Sequence, residues 1–273
     1  MNEENVVGKV RSGIKEVLKG TGEVVSGTTR VVKDVATSAL EDTADVAGSV
    51  ASTTSSIVSG ALGAVEEVGT GLVKTVKGVV VGVLQGVGEV AAVSVGIVSD
   101  TVRAAFKGTR EMGQDASETA GAVAEGVISA VKGTAVGMTD AATALGRSAL
   151  AGAKDISGDV MAVATSTVSG AASGAAEAGA DVLGAIRGTA KGIIQGAGEV
   201  GLDISDATSA ALNGALQGAK RVGTSAEDAV SAAAQGALEA AEGIGEKAVH
   251  AVRDVAASGV GGVKAVLKGE QDT

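Results

Sequence analysis

Apolar residues recur along this chain with a period of 11. From Val6 to Gly269 the sequence divides into 24 consecutive units of 11 residues without insertion or deletion. Positions 1, 2, 4, 5, 8 and 9 of each unit are mostly Val, Ala, Leu, Ile, Gly or Thr, and positions 3, 6, 7, 10 and 11 hold nearly all the charge. Because 11 residues in three turns correspond to about 3.67 residues per turn, the apolar positions share one helix face.

This spacing predicts an all-α protein rather than a β-solenoid. Val, Thr and Gly suit strands and turns, but an odd period would exchange the faces of a strand at every repeat. The sequence also lacks Pro, the residue that ends helices most effectively. We therefore expect one very long amphipathic helix, or a few long helices, over residues 6–269, with tails at 1–5 and 270–273. A continuous helix of this length would be about 400 Å long.

A second period of 22 residues is superimposed on the first. Position 2 is large in most of the even-numbered units and smaller or polar in the odd-numbered units, as at Ala51 and Ser117. The large residues are predicted to act as lateral knobs: Leu18, Leu40, Leu62, Leu84, Phe106, Ile128, Leu150, Ile194, Leu216 and Leu238. Glycines on the opposite edge are predicted to form notches that receive them: Gly82, Gly86, Gly108, Gly152, Gly174, Gly192, Gly196, Gly214 and Gly218.

The polar face has one basic and one acidic edge. Position 6 forms the basic edge, at Lys33, Lys77, Arg110, Lys132, Lys154, Arg187, Lys220 and Arg253. Position 7 forms the acidic edge, at Glu23, Asp34, Glu89, Asp100, Glu111, Asp155, Glu177 and Glu199. Positions 10 and 11 extend this division, with Arg147 and Lys191 on one side and Asp159, Asp181 and Asp203 on the other. Arg221 and Glu242 are among the exceptions.

These edges predict parallel helices lying side by side. When two such helices turn their apolar faces the same way, the basic edge of one meets the acidic edge of the other only if both run in the same direction. The knobs lie on the basic edge and the glycines on the acidic edge, so a knob would enter a notch. Glycines spaced by four, as at Gly78, Gly82 and Gly86, let helix backbones approach closely. We expect a homo-oligomer of laterally packed parallel chains.

Composition gives a reason to expect a partner surface. The chain contains 43 Gly, and each costs a helix about 1 kcal/mol relative to Ala. Phe106 is the only aromatic residue, so a thick core built on aromatic side chains is excluded. Burial of the apolar stripe has to offset the cost of the glycines. That stripe is therefore expected to lie against other copies of the chain or against a lipid or membrane surface.

The sequence offers few residues for chemistry. It has no Cys and one His, His250, at a polar position, so we assign no catalytic, metal-binding or cofactor-binding residues and expect a non-enzymatic protein. A GxGxxG match at Gly196–Gly201 follows no strand and is explained by the repeat. The net charge of −10 comes from interspersed residues without a basic block, which argues against nucleic acid as a partner. The start does not resemble a secretory signal, so we expect a protein of the cytoplasm or the periphery of a membrane or lipid body.

Proline-free 11-residue repeats with phrases such as Val76-Lys77-Gly78-Val79 and Val131-Lys132-Gly133-Thr134 resemble those of synucleins, perilipin-type droplet coats and exchangeable apolipoproteins. They are also similar, more distantly, to group 3 late-embryogenesis-abundant proteins. The resemblance is one of pattern and extends over residues 6–269. It implies reversible binding along a lipid surface.

Two functions follow as hypotheses, and both include lateral assembly. In the first, the protein coats or scaffolds a lipid or other apolar surface through its Val/Ala/Leu/Gly face. In the second, it forms a filament, tube or bundle in which that face is buried against other copies, without lipid as the principal partner. A protective protein of the desiccation type is a third hypothesis.

Overall fold

The computed structural model describes residues 3–19, 24–41, 46–68, 72–132, 134–156 and 158–267. Over these residues the chain is all-α, as predicted, with an isolated β-bridge between Val260 and Val263. The helices are α1 Glu3–Lys19, α2 Val24–Glu41, α3 Val46–Val68, α4 Leu72–Val90, α5 Val95–Glu111, α6 Ala116–Val131, α7 Met138–Asp155, α8 Val160–Ala178, α9 Val182–Val200, α10 Ile204–Val222, α11 Ala226–Ile244 and α12 Glu246–Ser258.

The prediction of one very long helix, or a few long helices, is wrong. The helices contain 13 to 23 residues, and from α8 to α11 each contains 19. A three-residue turn follows each of α8, α9 and α10, and Gly245 alone separates α11 from α12. Gly179, Gly201 and Gly223 end α8, α9 and α10 with φ of 60°, 71° and 76°. Glycine adopts this left-handed conformation without the steric cost that other residues incur, so it ends a helix even where Pro is absent.

Side chains at the turns then start the next helix. The Asp181 carboxylate accepts a hydrogen bond from the Gly184 N–H, and the Asp203 carboxylate accepts bonds from the N–H groups of Ser205 and Asp206. Ser225 caps α11 in the same way. These side chains satisfy amide groups that have no partner inside the helix. One 22-residue repeat is therefore one helix and its turn.

The helices form two layers, with odd-numbered helices in one and even-numbered helices in the other. From α1 to α11, each helix has its most extensive packing with a helix two before or two after it, whereas α12 packs more against its neighbour α11 than against α10. Close contacts between α7 and α9 keep a constant separation of 49 residues, as in Thr139 with Gly188 and Thr143 with Gly192. A constant separation requires the two helices to run in the same direction. Parallel helices thus lie side by side within a layer, as in an α-solenoid.

The apolar face of each helix is buried inside this stack. Two contiguous clusters of Val, Ala, Leu and Ile form the interior, and the largest fully buried side chain is Phe106. The described residues expose four large apolar side chains, those of Val73, Val95, Ile244 and Val266. The partner surface for the apolar stripe therefore lies within the chain itself. The predicted tail at 270–273 lies outside the described residues, and α1 begins at Glu3.

Candidate functional site

Glycines line one edge of each inner helix and allow the preceding helix of the same layer to approach closely. A Cβ added at Gly174 of α8 would lie 2.7 Å from the carbonyl oxygen of Glu125 in α6, and one at Gly82 of α4 would lie 2.7 Å from the carbonyl oxygen of Thr29 in α2. A real Cβ does not approach another atom so closely. Seven of the nine predicted notch glycines have a neighbour this close, and at Gly152 and Gly196 the nearest atom would lie at 3.0 and 3.1 Å. In all nine cases the neighbour belongs to the helix two before.

Several predicted knobs lie against predicted notches. The Phe106 ring of α5 contacts Gly152 of α7, where an added Cβ would lie 3.0 Å from Cδ2. Leu62 of α3 faces Gly108 of α5 in the same way, and Leu150 of α7 faces Gly196 of α9. The other knobs are also buried, except Leu18 and Leu238, which are half-buried. These contacts join helices of one chain, and contacts of this kind between chains stay a prediction.

Hydroxyl groups add polar contacts between the same helices. Thr29 of α2 donates to the Gly78 carbonyl of α4 at 3.3 Å, and Thr165 of α8 donates to the Ala210 carbonyl of α10 at 3.2 Å. A side chain reaches a carbonyl of the next helix only where the two backbones lie close together. The glycine edge therefore permits hydrogen bonds as well as apolar contacts.

Basic and acidic edges face each other across several of these pairs. Lys33 Nζ lies 2.6 Å from Glu89 Oε1, and Arg147 Nη2 lies 2.7 Å from Glu199 Oε1. Arg187 pairs with Glu239, a partner that the division into edges did not include. The bond to Glu89 raises the pKa of Lys33, and the hydrogen bond from Lys33 lowers the pKa of Glu89. Glu89 is exposed and Lys33 is half-buried, so solvent screens the pair and it favours one alignment of the helices more than it adds stability.

One ion cluster spans four helices of the even layer. Lys77 of α4 lies 2.6 Å from Glu177 of α8 and 3.4 Å from Glu125 of α6, and Arg221 of α10 lies 3.6 Å from Glu125. Lys77 thus reaches past α6 to the second helix along, which requires closely spaced helices. Burial lowers the pKa of Lys77, but the hydrogen bond to Glu177 and the charge of Glu125 outweigh burial, so the pKa is raised.

Other predicted edge residues find different partners. Arg110 donates to the Asp155 carbonyl at 3.4 Å, Lys132 to the Ala178 carbonyl and Lys154 to the Val200 carbonyl, so these cations bind the ends of neighbouring helices instead of carboxylates. This geometry complements the negative end of the helix dipole. Glu111 pairs with Lys107 of its own helix. The side chains of Asp34, Asp100, Lys220 and Arg253 are exposed, and Glu23 lies outside the described residues.

The structure gives new roles to acidic residues that were grouped with the acidic edge. Asp159, Asp181 and Asp203 are N-caps, whereas the edge pattern placed them beside Glu and Asp residues of position 7. A glycine two residues before an acidic residue, as in Gly179-Ala180-Asp181 and Gly201-Leu202-Asp203, is the signal that could have revealed them. Because glycine is so frequent in this sequence, the turn glycines were not distinguished from the glycines of the helix edges.

No protein-family model matches this chain, and no curated protein matches it.

Surface depressions occur along the helix edges. One of about 450 Å³ is lined by Arg103, Lys107, Arg110 and Glu111 of α5 with Gly152, Asp155 and Ile156 around α7. It is open to solvent and its cations lie beside carboxylate and carbonyl oxygens. In the described part of the chain, no helix is both long and apolar enough to cross a membrane, and no three or more His, Asp or Glu side chains group as metal ligands would. The distinctive chemistry of this surface is its helix-to-helix complementarity.

Proposed function

We propose that the protein is a non-enzymatic structural protein, a helical scaffold assembled from one repeated helix-and-turn unit. The observation that supports this function is the use of the complementary edges: in-layer helices meet glycine to knob, and in several pairs cation to carboxylate. Other helices of the chain cover each apolar face, and the charged side chains lie on the outer surface. Such a stack presents extended polar faces to partners.

The scaffold proposal retains parallel lateral packing but places it within the chain. Because all units share the same two edges, the chain supplies its own neighbours and does not need other copies to bury its apolar stripe. Association between chains would then involve the outer faces or the ends of the stack. A homo-oligomer and a filament remain testable extensions of this proposal.

A lipid-surface coat is the second candidate, supported by the make-up of the interior. The core is mostly Ala and Val, and the buried hydroxyls of Thr28, Thr75 and Ser169 have no hydrogen-bond partner. An unpaired buried hydroxyl costs roughly 1–3 kcal/mol. Separation of the two layers would turn the apolar faces outward onto lipid. The three-residue turns oppose this opening, because each of them joins consecutive helices that lie in opposite layers.

Circular dichroism combined with light-scattering mass tests these candidates, on protein alone and with neutral or anionic vesicles. The scaffold proposal predicts a helical monomer near 26.0 kDa that melts cooperatively and whose spectrum vesicles leave unchanged. Disorder in buffer with helix only on vesicles would contradict it and support the lipid coat. Large helical particles that ignore lipid would support the filament, and disorder in every condition would leave the desiccation-type protein.

A further inference from the structure

The two edges of a helix have different neighbours. We call the edge that faces the helix two earlier the rear edge, and the edge that faces the helix two later the front edge. On the rear edge of the even layer, a glycine recurs every 44 residues at Gly82, Gly126, Gly170 and Gly214. An added Cβ at each would meet the preceding even helix, for example the Thr165 carbonyl oxygen at 2.5 Å from Gly214.

The first helix of each layer departs from this pattern. Ser38 of α2 stands where the later even helices have their glycine. Glu16 of α1 stands where α3, α9 and α11 have Gly60, Gly192 and Gly236, and where α5 and α7 have the small residues Ala104 and Ser148. Glu16 and Ser38 are both exposed. A charged side chain at the notch position of α1 blocks the close approach that another helix would require.

The front edge of α11 lies at the other end of the stack. Its position can be read from α9, where the Arg187 backbone contacts Gly236 of α11. Ser231 follows Arg187 by 44 residues and so occupies the same place on α11, facing the position of a further odd helix. No helix follows there among the described residues, yet the edge is not bare.

The segment formed by residues 259–267 covers this edge. Val266 N–H donates to Ser231 Oγ at 2.9 Å, and the Leu267 and Val260 side chains are buried in the same cluster as α11. Gly259, Gly261 and Gly262 have φ of 74°, 57° and 83°, which ends the helical course after Ser258. Leu216 of α10, a predicted knob, lies against Gly261. The segment thus fills the place of the next helix with non-helical chain.

We propose that residues 259–267 are an end cap that blocks a front-edge interface on α11, and that this interface fits the rear edge of α1 in a second copy. The cap holds the protein to a single stack, and Glu16 is a second barrier at the opposite end. A contact between the front edge of one copy and the rear edge of another is heterologous and would propagate into open polymers. Both barriers must be removed before that contact forms.

The test compares four proteins: the full chain, a chain ending at Ser258, full-length Glu16→Ala, and the shortened chain with Glu16→Ala. Alanine is chosen because Ala104 occupies this notch position in α5. Sedimentation velocity and light scattering over a hundredfold range of concentration should show monomers for the first three. The combined variant should show a mass that rises with concentration, with rods visible by electron microscopy.

A combined variant that stays helical and monomeric overturns the proposal. Association of the shortened chain that is indifferent to residue 16 overturns the assignment of α1 as the partner edge. If shortening unfolds the chain, the full-length double variant Gly261→Val with Glu16→Ala replaces the shortened double variant as the test. A Cβ at position 261 would lie 2.6 Å from Leu216 Cδ2, and the backbone there has a positive φ, so the Val side chain should displace the cap. Its matched control is Gly243→Val with Glu16→Ala, since Gly243 has no atom within 4 Å of an added Cβ. None of these outcomes alters the scaffold proposal, which concerns the inner helices.

Discussion

Glycine has opposite roles in two regions of this molecule, the helix edges and the turns. At Gly188, Gly192 and Gly196 the backbone is helical and a neighbouring helix leaves no room for a side chain. At Gly201 and Gly223 the backbone is left-handed and an added Cβ would meet nothing within 4 Å. Edge glycines are required by packing and turn glycines by backbone conformation. The edges determine how helices associate, and the turns determine where each helix ends.

The largest effect is expected from the side chain that fills an edge notch. Leu62→Ala removes a fully buried knob whose Cδ1 lies against Gly108, and it should lower the free energy of unfolding by about 2–5 kcal/mol. Leu238→Ala is the matched control, because Leu238 has the same place on α11 but is half-buried. Urea denaturation measures both. If the two variants lost the same free energy of unfolding, packing of the knob against the glycine notch would not contribute to stability.

Substitution of an edge glycine should have the next largest effect. Gly192→Ala places a Cβ against the Thr143 carbonyl oxygen, which belongs to a helix backbone and cannot move alone, so we expect a loss of about 1–3 kcal/mol despite the better helix propensity of Ala. Gly243→Ala, in an open helical position, should instead gain up to about 1 kcal/mol. Thermal melts of the two variants should shift in opposite directions. A stabilised Gly192→Ala would refute the close approach.

Turn glycines should show a smaller, purely conformational cost. Gly201→Ala forces a side chain into φ of 71° and should cost about 1–2 kcal/mol, although nothing lies near the new methyl group. Gly201→Asn should recover much of this loss, because Asn tolerates the left-handed region better than Ala. Chemical denaturation distinguishes the variants. The same substitution at Gly192 should show no rescue by Asn, and rescue there would erase the distinction between the two regions.

The charged edge should contribute least, and only within a pH window. The pKa of Glu89 is lowered from its ordinary 4.5, so its contribution is present above pH 4.5 and is lost as pH falls through the folded-state pKa. The pKa of Lys33 is raised from 10.5, so its contribution is present below pH 10.5 and is lost as pH rises through the folded-state pKa. Melting temperatures of the wild type and Glu89→Gln should therefore differ slightly near pH 7 and converge as the pH falls through the folded-state pKa of Glu89. High salt should shrink the difference, and a difference that neither acid nor salt reduces would exclude this pair as its cause.

Part of this architecture could be predicted from the sequence. The 11-residue period predicts helices with one apolar face, and the 22-residue period picks out large residues such as Phe106 and small ones such as Gly152, which the structure brings together. The turns were missed because Pro is absent and because glycines at turns and at edges share the same period. Position 201 differs from position 192 only in context: an acidic cap, Asp203, follows it two residues later. A glycine followed two residues later by an acidic cap therefore predicts the boundary between two short helices.

The location of the partner helices could not be predicted either. Because the repeat gives every helix the same two edges, sequence alone does not distinguish a neighbour in the same chain from one in another copy. Turn length decides this question. A three-residue turn reverses the direction of the chain directly after a helix. The helix two later is therefore parallel and can pack alongside without any association between molecules.

The most direct test of the account is the distance between residues 110 and 154, which are 44 positions apart on α5 and α7. The chain contains no Cys, so Arg110→Cys and Lys154→Cys can carry paired spin labels without other changes, diluted with unlabelled protein to remove distances between molecules. The stack predicts a separation within about 20 Å, since packed helix axes lie roughly 8–10 Å apart and the label arms add the rest. A continuous helix would place the labels about 66 Å apart, and that result would contradict the folded stack.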